Sequence, residues 1–404
     1  MSDNNKIYLE VNGSKYEGFK DISINRSLDS AYGTFNFTAT SNKDNPVILP
    51  IQNGEPCKVW ILNNLVVDGF VEILSISYDA NSHLINIQGR DKIADFTDST
   101  VIGNANYKAP IGLIDILRKT LDIIGFTKVK IVVSSVKLAN ELAENPFNKE
   151  EDLATEVGGN AFEFIQKLCK KRQVLLIPSF NQKDELQIML TRAENTEIDA
   201  IIRNKIGGGN SNVLSGQANY NNAQRYFAYI CRSQGNMSTG LNDPNIDSKS
   251  EIAYDREMRT TRVLEFQAES LSSIESCKAR ADFEANVRRA KSSVLNYTMQ
   301  GFFIDQFKQD GIFANLWQLN RLIKVEDDFL AVNAEMLIND VTYSFGDGGE
   351  KTTLGLVPQD AYSLLSSRDK KEKKINNIAN DINNINIFDP ATWQGFIKNL
   401  GVDL

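Results

Sequence analysis

Apolar and polar positions alternate along the first quarter of the chain. Ile7, Leu9 and Val11 fall on one face of an extended segment, and Asn12-Gly13 then supplies a hairpin turn. Ile22 and Ile24 repeat the alternation, as do Phe35, Phe37 and Ala39. Cys57, Val59 and Ile61 lead into a turn at Asn63-Asn64, and Val67, Gly69 and Val71 lead out of it. A last strand runs from Leu84 through Ile87, after a turn at Asp79-Ala80-Asn81. A period of two means one buried and one open face. Short strands at this spacing predict a small barrel or sandwich over residues 1–97.

The period changes over residues 98–195. Pro110 opens a predicted helix whose apolar face is Leu113, Ile114, Leu117, Leu121 and Ile124, and Gly125 ends it. A strand is expected at Val129–Val133, followed by a polar loop from Glu141 to Glu156. Asn160 reads as the N-cap of a helix carrying Phe164, Ile165, Leu168 and Cys169, with Glu163 as its capping-box partner. Val174–Ile177 and Leu186–Leu190 read as paired strands, completing an α+β unit.

Residues 196–358 return to strands. Ile198–Ile206 is extended, and Gly207-Gly208-Gly209-Asn210 is a hinge. Tyr220–Cys231 and Arg262–Phe266 read as two long strands around a polar loop, Gln234–Ala253. A long helix follows, capped by Ser272 and Glu275, with Leu271, Ile274, Cys277, Ala281 and Ala285 on one face and Glu284–Arg288 paired outside. Strands are then predicted at Val294–Gly301, Leu322–Glu326, Glu335–Phe345 and Thr352–Val357, with a hairpin turn at Asp347-Gly348. This gives a second β domain with an α+β part inserted at about 218–301.

Residues 359–404 form a helical tail. Ile375, Ile378, Ile382 and Ile385 step as a heptad seam with isoleucine at both positions, the choice that in parallel coils favours trimers or tetramers. A last helix begins at Asp389-Pro390 and carries Trp393 and Phe396 as a candidate partner-docking pair.

Composition narrows the function classes. At 404 residues the chain exceeds the roughly 250–300 residues of a single core. Its 44 basic and 52 acidic residues leave a net charge of −8, which argues against specific nucleic-acid binding. No apolar run is long enough to span a membrane, and no signal peptide is visible after Met1. Cys57, Cys169, Cys231 and Cys277 form no CxxC pair, so no zinc site or disulfide framework is expected and a reducing compartment fits. The single histidine, His83, has no Gly-x-Ser-x-Gly elbow to join, which leaves no triad. Glu150-Glu151 and Asp327-Asp328 read as solvated turn carboxylates rather than an acid–base pair. Gly301-Phe302-Phe303 and Phe313–Trp317 read as core, with an interface anchor as the alternative. No catalytic, cofactor-binding or metal-binding residues are expected.

Three stretches carry a resemblance. The first is Ile24-Asn25-Arg26-Ser27-Leu28 with Gly33-Thr34-Phe35, Val67-Asp68-Gly69-Phe70-Val71 and Ile87-Gln88-Gly89-Arg90-Asp91. The second is Ala161–Lys171 followed by Leu175-Leu176-Ile177-Pro178. The third runs from Ala279–Arg289 through Gly311, Leu316-Trp317 and Asn320 to Leu337-Ile338-Asn339-Asp340-Val341, then Gly349 and Leu354–Pro358. In this order they resemble the baseplate hub proteins of Mu-type phages, related to the late-control D proteins and the hub part of type VI secretion spike proteins. The resemblance implies a β-rich α+β fold, with two similar β-barrel (torus) domains, peripheral α+β domains and a helical C-terminal extension. It implies a non-enzymatic homotrimer whose six barrels join a sixfold tail tube to a threefold central spike around a channel. Baseplate wedge proteins and a tape-measure protein would be further partners. The place of action would be the virion tail baseplate, assembled in the host cytoplasm. A tail-associated cell-wall hydrolase, a distal-tail or receptor-binding module, and the hub of a headless injection device are the alternative readings.

Overall fold

The computed structural model describes residues 7–41, 50–79, 83–101, 103, 105–147, 153–155, 157–172, 174–181, 183–192, 198–207, 211–232, 250–267, 274–304 and 316–358. The isoleucine seam, Trp393, Phe396, Glu150-Glu151, Phe313 and Ser272 lie outside them.

The first alternating segment gives β1 (Ile7–Val11), β2 (Ser14–Tyr16), β3 (Asp21–Ser27), β4 (Thr34–Ser41), β5 (Pro56–Ile61), β6 (Asn64–Tyr78) and β7 (His83–Asp91). Next come α1 (Ile93–Asp98), α2 (Leu113–Ile123), β8 (Lys130–Val133), α3 (Val136–Glu144), α4 (Ala161–Arg172), β9 (Leu175–Phe180) and β10 (Leu186–Thr191). The remainder holds β11 (Ile198–Asn204), β12 (Ser215–Tyr220), β13 (Ala228–Arg232), β14 (Ser250–Tyr254), β15 (Val263–Gln267) and α5 (Ile274–Lys291), then β16 (Ser293–Gln300), β17 (Leu322–Asp327), β18 (Val332–Gly346) and β19 (Gly349–Pro358).

The chain divides into two units. One is 1–220 with 293–359; the other is 221–292 with 360–404. In the first unit, thirteen strands share one sheet. Its path is β12-β16-β19-β18-β3-β4-β7-β6-β5-β1-β2, with β17 and then β11 branching from β18. The two predicted β segments are therefore joined edge to edge, through antiparallel pairing of β3 with β18. One core of buried Ile, Val, Leu and Phe side chains runs across both.

The strand order is used twice. The path β1-β5-β6-β7-β4-β3 is matched by β11-β17-β18-β19-β16-β12. Each copy has a fifteen-residue strand, β6 or β18. Each of these carries a register shift, between Val71 and Ile73 against β7 and between Ile338 and Asp340 against β19. Aligning the shifts equates Asp340 with Ile73, Tyr343 with Ile76 and Phe345 with Tyr78. Following the ladders outward then equates Thr298 with Thr38 and Ser215 with Asp21. The copies differ at one flank: β1 runs antiparallel to β5, but β11 runs parallel to β17.

The α+β part of this unit packs α1, α2 and α4 with a three-stranded sheet in the order β8-β10-β9. Leu113, Ile116, Leu117 and Leu121 of α2 are buried. Burying each stabilises by roughly 2 kcal/mol. Pro110 does not open that helix. Ile111 instead exchanges backbone hydrogen bonds with Phe147, so the chain stays extended and Gly112 becomes the N-cap. Gly125 does end it: its φ is +89° and the Phe126 N–H donates to the Leu121 carbonyl. Asn160 caps α4, its Oδ1 accepting from the Glu163 N–H at 2.9 Å.

Two further readings fail in this unit. Residues 136–144, partly assigned to a polar loop, form α3, capped by Ser135 and burying Leu138 and Leu142. The turn into β6 falls at Leu62-Asn63, one residue early, because Ile61 pairs with Asn64.

The second unit carries the sheet β14-β13-β15 with α5 packed on it. The small side chains of Cys277, Ala281 and Ala285 on α5 share one core with Tyr229, Cys231 and Ala253. Tyr220–Cys231 is not one strand. Asn221 accepts a hydrogen bond from the Ala223 N–H, a short 3-10 turn follows, and the backbone breaks before β13. The loop expected up to Ala253 ends in a strand, β14, paired with β13. Glu284 and Arg288 do pair at 2.6 Å, half-buried rather than on the outside.

Candidate assembly edges

An end strand and half of an inner strand of the thirteen-stranded sheet leave main-chain groups without ladder partners among the described residues. Among the described residues, β12 pairs only with β16, and Ile73–Tyr78 of β6 pairs only with β7. Neither stretch is protected in the usual ways. Ser-Gly-Gln-Ala-Asn-Tyr in β12 and Ile-Leu-Ser-Ile-Ser-Tyr in β6 contain no charge and no proline. Both expose apolar side chains: Ile76 is 67% exposed, Tyr78 82% and Tyr220 64%. By contrast β2, at the opposite end of the sheet path, has three residues and carries Lys15.

A cleft of about 720 Å³ lies where the α+β part meets the large sheet. Arg26 donates to the Pro178 carbonyl at 2.7 Å and stacks over the Phe180 ring. Asn320 donates to the Thr191 hydroxyl at 3.1 Å, and the Tyr343 hydroxyl donates to the Trp317 carbonyl. Arg192 reaches Glu141 at 2.5 Å and the Arg172 carbonyl at 3.0 Å. The lining carries Arg26, Lys137, Arg192 and Arg321 but one carboxylate, Asp184. Arg26, Arg192 and Asn320 strap one part of the unit to another there. No pair of carboxylates is poised there for acid–base work.

The family described as Mu phage baseplate assembly protein GpP-like, N-terminal, matches residues 6–91. The fourth domain of Mu phage baseplate assembly protein GpP matches residues 273–365. The chain is 23% identical over 379 residues to the baseplate hub protein gp44 of Escherichia phage Mu, covering 92% of each. It is 27% identical to the 43 kDa tail protein of prophage MuSo2 from Shewanella oneidensis, with a TM-score of 0.72 over 88% of this chain and 99% of that one. This chain is a relative of the Mu-type baseplate hub proteins. A tail protein from Neisseria meningitidis MC58 shares the fold, with a TM-score of 0.71 at 15% identity over 88% of this chain and 97% of its own.

Within this Mu-type hub framework the residues singled out in the sequence fall as follows. Phe302, Phe303 and Trp317 are buried in the main core, as read. His83 opens β7 edge-on to Tyr78. All four cysteines are buried, and burial pushes the thiols of Cys57 and Cys169 up to about 12. Asp328 is solvated and pairs with Lys205 at 3.0 Å. Asp327 corrects its reading: it is buried, accepting from the Tyr297 hydroxyl, the Asn204 amide and the Leu330 N–H. The reason is that Asp327 is still the last residue of β17, paired with both β11 and β18 before the turn begins. Among the described residues no group of three or more His, Cys, Asp or Glu could hold a metal ion, and no helix is long and apolar enough to cross a membrane. The exposed edge of β6 was missed, although Leu74, Ile76 and Tyr78 alternating with Ser75 and Ser77 carry its signal.

Proposed function

We propose that this chain is the structural hub of a contractile phage tail baseplate, acting as a homotrimeric ring. The duplicated strand order carries the reading. One chain holds two equivalent β modules, so three chains present six, and a threefold ring of this kind can face a sixfold tube on one side and a threefold spike on the other. In this reading each module closes as a small barrel, with 1–97 and 196–358 as the hub domains, and the ring leaves a central channel. The α+β parts at 98–195 and about 218–301 lie outside and meet wedge proteins. The tail from 359 supplies a helical seam through Ile375, Ile378, Ile382 and Ile385, while Trp393 and Phe396 dock the spike or the tape-measure protein. The work is mechanical: the hub holds the spike until firing and passes contraction on to it, in a virion assembled in the host cytoplasm. The relatives' names, as hub and tail proteins, support a structural rather than an enzymatic role.

Native mass spectrometry of the purified full chain tests the ring. A mass near three times 45.2 kDa is expected. A monomer at every concentration up to the solubility limit would sink the reading.

A further inference from the structure

The chain contains a template for its own partner. Inside one molecule, β3 of the first module lies along the distal half of β18 of the second. The residue pairs are Phe345 with Ile22, Tyr343 with Ile24, Thr342 with Asn25 and Val341 with Arg26. The equivalent strands are β12 and the distal half of β6, and both are uncharged, proline-free edges of the large sheet without a mate among the described residues. Within one molecule the joint is made once; its counterpart needs a second copy.

We infer that β12 of one subunit pairs antiparallel with Ile73–Tyr78 of the next, repeating the β3–β18 joint between chains. This rests on the trimeric reading and goes beyond it by fixing the seam and its register. Carrying the alignment across places Tyr78 opposite Gly216, Ile76 opposite Ala218, Ser75 opposite Asn219 and Leu74 opposite Tyr220.

The side chains suit that register. Tyr343, paired with Ile24 of β3 and packed against Phe302, is 2% exposed, whereas its counterpart Ile76 is 67% exposed in the single chain. Tyr78 takes the place of Phe345 and meets a glycine, a pairing in which an aromatic ring covers the backbone that the glycine leaves bare. Ala218 stands where Ile24 stands and already packs against the main core, so Ile76 would extend that core across the seam. Asn25 donates across the internal joint to Thr342 at 2.9 Å, and Asn219 facing Ser75 keeps an amide opposite a hydroxyl. Each subunit gives one edge and receives the other, so the contact is heterologous and closes only as a ring.

Cysteine cross-linking of the full chain tests the register. The four native cysteines are buried and do not compete. Ser75→Cys with Asn219→Cys puts the sulfurs directly opposite, within disulfide reach, whereas Ser75→Cys with Gln217→Cys is a diagonal pair about 7–8 Å apart. Under mild oxidation the first pair should give covalent dimers and trimers on a non-reducing gel, and the second should give less than about a tenth as much. A trimer by mass with no cross-link, or with equal yields from both pairs, overturns the seam and leaves the trimer standing. A chain that stays monomeric overturns both. Ile76→Asp, an exposed position, should leave the monomer folded by circular dichroism and weaken self-association at least about tenfold. Unchanged association would again overturn the seam.

Discussion

The β3–β18 joint and the edges of β12 and β6 are built from equivalent strands, yet only the joint hides its apolar side chains. Val341 and Tyr343 lie buried in the same core as Ile22 and Ile24, while Ile76 and Tyr78 stand in solvent. Duplication has thus produced one module boundary that is satisfied within the chain and another that is not. The two modules also solve the same packing problem differently. Phe35 sits opposite Gly89 in the first; Leu295 sits opposite Leu356 in the second. A large ring beside no side chain, and two medium side chains, fill comparable space at equivalent positions. Phe37 and Tyr297 are likewise equivalent and fully buried, but Tyr297 has Asp327 as acceptor for its hydroxyl at 3.0 Å.

The largest effects should come from forcing one module to adopt the other's packing. Leu356→Ala removes a fully buried side chain and should cost about 3–4 kcal/mol. Gly89→Ala adds a methyl group yet should cost about 2–3 kcal/mol. Its Cβ would stand 2.1 Å from the Phe70 carbonyl oxygen and 2.4 Å from the Phe35 ring. Urea unfolding followed by tryptophan fluorescence measures both, and a neutral Gly89→Ala would show that the two solutions are interchangeable.

Next comes the joint itself. Asn25→Ala loses bonds to Asp340 at 3.1 Å and Thr342 at 2.9 Å and should destabilise the chain by about 1–2 kcal/mol. Its counterpart Asn219→Ala should leave the unfolding midpoint of the monomer unchanged, since Asn219 is exposed in the single chain. Equal losses in the two variants would erase the distinction between closed joint and open edge.

The last contrast depends on pH and concerns Asp91, which has no acidic counterpart in the second module, where Pro358 stands at its place. Asp91 is buried, accepting from the Gly33 and Asp68 N–H groups at 2.6 and 3.2 Å. Burial pushes its carboxyl up to about 6, from an ordinary 3.8. Between those values the folded chain keeps a proton that the unfolded chain releases. The contribution of Asp91 is therefore full below about pH 4 and falls as the pH rises through 6. Asp91→Asn should remove that decline, up to about 3 kcal/mol across the window, in stability measured against pH. An identical pH profile would mean that the group titrates normally.

Much of the architecture was legible because its cause is local. Period-two alternation marked β1 and β3 to β5, and Asn12-Gly13 supplied the turn between β1 and β2, both residues at positive φ. The α5 face of Cys277, Ala281 and Ala285 was visible from helical spacing. What failed had weak or competing local signals. In α3, Lys, Asn and Glu surround two buried leucines, so the segment reads as polar loop. β14 has five residues, and of these Ala253 is the buried one. Pro110 was misplaced because a backbone bridge to Phe147, distant in sequence, holds the next residue extended. The joint between β3 and β18 unites the two ends of the chain, and no periodicity reports which edge meets which. The candidate edges were half legible: the alternation through Tyr78 is written in the sequence, but its exposure depends on which neighbours are missing.

Tyr220, the last residue of β12, is paired with Ser293, the first of β16. Everything from Asn221 to Ser292 therefore leaves and re-enters the sheet through one doorway a single strand spacing wide. Such an insert places no demand on the length or twist of the strands that flank it. Lineages could exchange this module for another, larger or smaller, while the sheet kept its geometry.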